Sequence, residues 1–185
     1  MKTLIIDNHT KHLKKLIPIF QNVTVIKREG LQENLKLTPY DLLVLSGGSK
    51  VPTVLRHPEK YKLEMDIIKK SKIPIIGICL GAEIITKAFN GELQSLPAER
   101  KGSIRLKITD PQLKKIICSK IINVFEGHHI GIKTIPKNFI SCAYSKYGIE
   151  IIKHKNKPII AVQFHPEISK DKKLTGWLLK EIGVI

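Results

Sequence analysis

The run Pro74-Ile75-Ile76-Gly77-Ile78-Cys79-Leu80-Gly81-Ala82-Glu83 constrains this chain more than any other stretch, because it sets a cysteine on a glycine-flanked junction between an apolar strand and a helix. Ile73, Ile75, Ile76 and Ile78 make a short β-branched run suited to a buried strand. From Leu80 the spacing becomes helical, with Leu80, Ile84, Ile85 and Ala88 apolar. Gly77 and Gly81 lack the Cβ atoms that would crowd a sharp strand-to-helix turn, so the segment reads as a nucleophile elbow. A thiol at a helix N-terminus also feels the positive end of the helix dipole, which favours thiolate over thiol. Taken alone, the pattern fits a buried structural cysteine equally well.

A second segment, Ile159-Ile160-Ala161-Val162-Gln163-Phe164-His165-Pro166-Glu167, again runs from strand into loop. His165 and Glu167 leave the end of that strand together. Alone, the His-Pro-Glu tripeptide is better read as an ordinary polar loop. Paired with Cys79 it supplies the three side-chain types of a cysteine nucleophile, a base and a group that orients the base.

With both segments in view, the chain resembles the class I glutamine amidotransferases, which carry G-x-C-x-G on an elbow and a distant strand ending in Q-F-H-P-E. Here these stand as Gly77-Ile78-Cys79-Leu80-Gly81 and Gln163-Phe164-His165-Pro166-Glu167. The likeness spans nearly the whole chain, since Ile5-Ile6-Asp7-Asn8, Leu42-Leu43-Val44-Leu45-Ser46-Gly47-Gly48 and Val124-Phe125-Glu126-Gly127-His128 resemble the family's outlying motifs in the right order. The resemblance implies that Cys79 attacks the side-chain amide of glutamine and that His165 serves as base and then acid. It implies that Glu167 orients His165 and that the backbone N–H groups of Gly48 and Leu80 form the oxyanion hole. Glu83 and His128 fall where the family places substrate contacts. No cofactor and no metal is implied.

The chemistry is intelligible without the family. An amide carbon is a poor electrophile, so attack needs an anionic nucleophile and donors aimed at the developing oxyanion. The Leu80 N–H follows the nucleophile at a helix start, and a flexible Ser46-Gly47-Gly48-Ser49 loop can bring a second N–H close. A nucleotide-binding P-loop at Gly47-Gly48 is not expected, because no Gly-Lys-Ser/Thr follows.

The same resemblance exposes departures. Glu83 stands where many members have glutamine, and an ionised carboxylate only accepts hydrogen bonds whereas an amide also donates. Its charge, one turn from Cys79 on the same helix face, should oppose thiolate formation. Ser49 replaces a common proline, Gly127 a common serine, and Ile130 the aspartate of the GMP synthase branch.

At 185 residues and 42% hydrophobic, the chain is long enough for one domain with a sizeable core. We expect a single glutaminase domain over 1–185. Its fold class is α/β, a largely parallel open sheet flanked by helices, flavodoxin-like. Strands are expected over 3–6, 23–26, 41–45, 73–78, 104–108, 121–125, 139–143, 149–153 and 159–164, with helices near 10–20, 59–71, 80–89 and 172–182. Cys79, Cys118 and Cys142 make neither a disulfide framework nor a zinc motif. With no signal peptide and no apolar run of membrane-spanning length, a reducing cytoplasmic setting and no membrane partner are expected.

The net charge of +16 will attract polyanions at low salt. The basic residues are scattered and no reader motif accompanies them, so specific nucleic-acid binding is not expected. Non-specific binding of that kind is the reading from another functional class. Lysine-rich faces such as Lys11, Lys14 and Lys15 fit plain solvation, or the docking of an acidic partner.

The function expected from the resemblance is hydrolysis of glutamine to glutamate and ammonia through a cysteine thioester. The ammonia would pass to a separate synthetase subunit of ATP-pyrophosphatase type, with GMP synthase the nearest branch. The alternatives are a stand-alone γ-glutamyl hydrolase, and a catalytically weak or silent relative retained as a binding protein. The histidines His57, His129 and His154 are expected at the surface.

Overall fold

In the computed structural model, residues 1–169 and 171–184 are described. One sheet of nine strands organises them, in the order β2-β1-β3-β4-β9-β8-β6-β5-β7. The strands are β1 (Thr3–Asn8), β2 (Val23–Lys27), β3 (Leu42–Gly48), β4 (Ile75–Ile78), β5 (Glu92–Ile108), β6 (Ile121–Thr134), β7 (Phe139–Ser145), β8 (Gly148–His154) and β9 (Ile159–Val162). The helices are α1 (Leu13–Leu16), α2 (Lys62–Lys70), α3 (Leu80–Ala88), α4 (Pro111–Ile117) and α5 (Lys172–Glu181).

The two halves of the sheet obey different rules. The pairings β1–β2, β1–β3, β3–β4 and β4–β9 are parallel. The strands β1, β4 and β9 are buried along their full length and β3 nearly so, as expected of parallel strands covered on both faces. Alternate residues feed two cores. Ile5, Val44, Ile76 and Val162 pack with α5 residues such as Trp177 and Leu178, whereas Leu4, Ile6, Leu43 and Leu45 pack with Ile68 of α2 and Ile84 and Ile85 of α3.

Every pairing among β5, β6, β7 and β8, and that between β8 and β9, is antiparallel. Because β7 bonds to both β5 and β8, these four strands close on themselves beside the parallel half. The expectation of a largely parallel sheet is therefore corrected: the sheet is mixed. The cause is the length of β5 and β6, which reach 17 and 14 residues and fold back on each other. The β5–β6 register slips between Ser95 and Arg100, which accommodates Pro97 in a strand that reads as loop in sequence.

Other boundaries shift for local reasons. The expected helix at 10–20 is one α-turn, α1, followed by a 3-10 turn containing Pro18. Pro58 likewise opens a 3-10 turn before α2. Asp110-Pro111, which signals a turn, instead caps α4: the Asp110 side chain accepts from the Leu113 N–H at 2.8 Å. No helix among the described residues is long and apolar enough to cross a membrane.

Candidate functional site

The parallel strands β1, β3, β4 and β9 deliver their C-terminal ends to one edge, where open α/β sheets place their sites. Cys79 sits between β4 and α3 with φ 51° and ψ −105°, a backbone conformation that costs a non-glycine residue on the order of 1–3 kcal/mol. Its N–H donates to the Val162 carbonyl at 2.8 Å, which pins the elbow to β9. The flanking glycines are required by close approach rather than by φ. A Cβ at Gly81 would lie 2.3 Å from the Leu45 carbonyl oxygen, and one at Gly77 would lie 2.7 Å from the Gly81 oxygen.

His165 follows β9, and its N–H donates to the Phe125 carbonyl of β6 at 2.8 Å. The imidazole Nδ1 lies 2.7 Å from Glu167 Oε1, with both side chains buried. Gly47 brings this pair to the cysteine: a Cβ there would stand 2.8 Å from His165 Cε1 and 3.5 Å from Cys79 Cβ. Gly47 thus lies between Cys79 and the His165–Glu167 pair, against both. The Ser46-Gly47-Gly48 segment is the end of β3 rather than a flexible loop, and Gly48 pairs with Asn8 of β1. The Leu80 side chain packs against the Gly48 backbone, where a Cβ would clash with Leu80 Cδ2.

Electrostatics around the thiol run against the sequence expectation. Burial pushes the Cys79 pKa well above its ordinary value, and Glu83 adds to the rise. The Leu80 N–H opposes both as the local hydrogen-bond donor, while Glu167 and Glu126 raise the value further. The helix N-terminus alone does not make a thiolate here; the proton must be taken up by a base. Glu83 lies buried one turn along α3, and burial pushes its pKa up to about 8. The neighbouring Gln163 amide pulls in the other direction without reaching hydrogen-bond geometry. The expectation of an acceptor-only carboxylate is corrected accordingly: near neutral pH the Glu83 carboxyl keeps its proton and can donate, as an amide does.

A cleft of about 460 Å³ opens onto His165 and Gly48 and is rimmed by Lys11, Lys50 and Lys101. A larger cavity of about 830 Å³ lies between α2 and the 33–38 segment, and none of the candidate catalytic side chains lines it.

His128 lies in the middle of β6, buried. His129 and His57 are exposed as expected. His154 is not: it is buried against Phe89 and Phe139, and its Nδ1 accepts from the N–H groups of Asn156 and Lys157 at 3.0 and 2.9 Å. Sequence reasoning missed His12, whose ring packs edge-on to His165 with centroids 5.1 Å apart. Burial and the adjacent His165 lower the His12 pKa, which favours its neutral form. Its position just after β1, at the same sheet edge, was the available signal. Glu126, Glu150 and Gln163 were also missed as a buried polar group beneath the site. Burial and Glu126 raise the Glu150 pKa.

The fold and this cluster define a buried thiol site on the elbow of an α/β sheet, and the comparisons make the class specific. Residues 4–182 match the class-I glutamine amidotransferase family model, and the chain belongs to that family of glutamine amidotransferase enzymes. It is 33% identical over 165 residues to the glutamine-hydrolyzing GMP synthase subunit of Methanococcus aeolicus, covering 89% of this chain and 81% of that one. It is 36% identical over 166 residues to the same subunit of Methanococcus maripaludis strain C7, with the same coverage. The crystal structure of a GMP synthase subunit-type protein from Thermoplasma acidophilum shares the fold, with TM-score 0.84 and 24% identity over 100% of this chain and 93% of that one. A glutamine amidotransferase from Thermotoga maritima superposes with TM-score 0.73 and 18% identity, over 97% of this chain and 81% of that one.

Proposed function

We propose that this chain is one glutaminase domain that hydrolyses glutamine and hands the ammonia to a separate synthetase subunit of ATP-pyrophosphatase type, in the manner of a GMP synthase. His165 takes the Cys79 proton as the sulfur attacks the side-chain carbonyl of glutamine, and the N–H groups of Gly48 and Leu80 hold the oxyanion. Collapse of the tetrahedral species transfers that proton to the leaving nitrogen, which departs as ammonia and leaves a γ-glutamyl thioester on Cys79. Water, deprotonated by His165, then attacks the thioester; glutamate leaves and the thiol is restored. Glu167 keeps the proton of Nδ1 in place, so that Nε2 is the nitrogen that exchanges protons.

The observation that carries this reading is the 2.7 Å bond between Glu167 and His165, with Gly47 wedged against both that imidazole and Cys79. The names of the Methanococcus relatives support GMP synthesis as the destination of the ammonia. A thiolate-dependent enzyme of this type fits a reducing cytoplasm. Because burial raises the thiol pKa, activity should be low in isolation and rise on docking the partner. The experiment is a glutaminase assay with and without an ATP-pyrophosphatase subunit supplied with ATP and XMP. Glutamine-dependent GMP formation is the expected result, and absence of glutamine hydrolysis under both conditions would overturn the proposal.

A further inference from the structure

Beneath the thiol site, Glu126 and His128 of β6 and Glu150 of β8 turn their side chains toward one another. Glu126 and His128 are two residues apart on one strand and therefore share a face. Their ligand-type atoms and one of Glu150 all lie within 4.8 Å of one another. The residues are 0%, 5% and 2% exposed. By hydrogen-bond geometry both Glu126 carboxylate oxygens, His128 Nε2 and Glu150 Oε2 are unpartnered, although Glu150 and Glu126 are near enough to share a proton. Burying such atoms unpaired is costly, so the arrangement calls for a ligand that satisfies several at once.

The outward atoms of the same side chains are held. His128 Nδ1 lies 2.7 Å from the Ile130 carbonyl. A carbonyl only accepts, so Nδ1 carries a proton, and Nε2 is the ring atom turned toward the carboxylates. Nε2 stands 3.5 Å from Glu126 Oε1, too far for a good hydrogen bond. The Ser145 hydroxyl donates to Glu150 Oε1 at 2.6 Å, which leaves Oε2 free. An imidazole fixed through Nδ1 to a backbone carbonyl, and a carboxylate fixed through its second oxygen, are the outer-sphere restraints typical of metal ligands.

We propose that Glu126, His128 and Glu150 form a binding site for a first-row divalent cation of the zinc type. One imidazole nitrogen with carboxylate oxygens suits Zn²⁺ better than Mg²⁺, which prefers oxygen donors and retains its waters. The cation ties β6 to β8 from within.

The test is Zn²⁺ titration by calorimetry of tag-free, chelator-treated protein carrying Cys79→Ala and Cys118→Ser, which removes the two thiols that could capture zinc independently. One Zn²⁺ per chain is expected, with affinity reduced about tenfold or more by Glu126→Gln and by Glu150→Gln and unchanged by His129→Ala. Zinc-edge absorption of the loaded parent should show nitrogen and oxygen ligands without sulfur, a readout that does not depend on how the variants fold. Failure of the parent to bind one equivalent, equal affinity in folded Glu126→Gln and Glu150→Gln, or sulfur ligation would each overturn the assignment.

Discussion

On the proposed mechanism, Glu83 is the residue whose protonation state bears most directly on the site. With a folded pKa of about 8 against an ordinary 4.5, it is neutral over most of the physiological range and acts as a donor. As pH rises through about 8 the carboxylate forms, loses its donor and repels the thiolate. The alkaline limb of kcat/KM should therefore carry an apparent pKa near 8 that disappears in Glu83→Gln, as measured by steady-state glutaminase kinetics. Loss of activity in that variant would show that the carboxyl itself is required, which would favour a different γ-glutamyl substrate. The same shift has a stability consequence. Between about pH 4.5 and 8 the unfolded chain releases this proton and the folded chain keeps it, so stability falls across that window and is level above it. Glu83→Gln removes the penalty and should raise stability at pH 7 by up to roughly 3 kcal/mol, read from urea unfolding at several pH values.

At the scale of elements, the elbow is held by glycines that admit neighbouring backbone. Gly81→Ala drives a methyl into the Leu45 carbonyl of β3, a rigid neighbour. Its cost should be about 2 kcal/mol or more in chemical denaturation, with poor tolerance of the α3 start. The parallel strands and this elbow are legible in sequence, because continuous β-branched runs and a Gly-x-Cys-x-Gly junction have few other solutions. The long β5–β6 pair is not. Pro97, Glu99, Arg100 and Lys101 look like loop; Arg100 and Lys101 gain strand character by pairing with His128 and Gly127 of β6 just past the register slip that contains Pro97 and Glu99, a tertiary effect. Cys79, His165 and Glu167 could be placed together from motif chemistry, whereas His12 and the Glu126–His128–Glu150 group depend on which strands become neighbours. The Cys79 pKa departs from its sequence expectation for a related reason: the helix N-terminus is visible in sequence, but the depth of burial that outweighs it is not.

For the whole molecule, the charge of +16 is spread over the surface, and basic groups also rim the cleft at Lys11, Lys50 and Lys101. That distribution suits docking of an acidic partner surface and the approach of anions. Any association with DNA or RNA should be sequence-independent and vanish as salt approaches physiological strength, which titration at several ionic strengths will show. Sequence-selective binding at physiological salt would reassign the basic surface.

Cys79, activated by His165 and Glu167, is on this account the nucleophile toward a glutamine side chain. Cys142 is buried on β7 with a pKa pushed up to about 12, and Cys118 is exposed outside the cleft, so the three thiols are chemically distinguishable. The most direct measurement is peptide mapping by mass spectrometry after reaction with a glutamine-mimicking electrophile, with and without excess glutamine. The account predicts a single adduct on Cys79, suppressed by glutamine and slowed by orders of magnitude in His165→Ala. Adducts spread evenly over Cys79, Cys118 and Cys142 and insensitive to glutamine would contradict it.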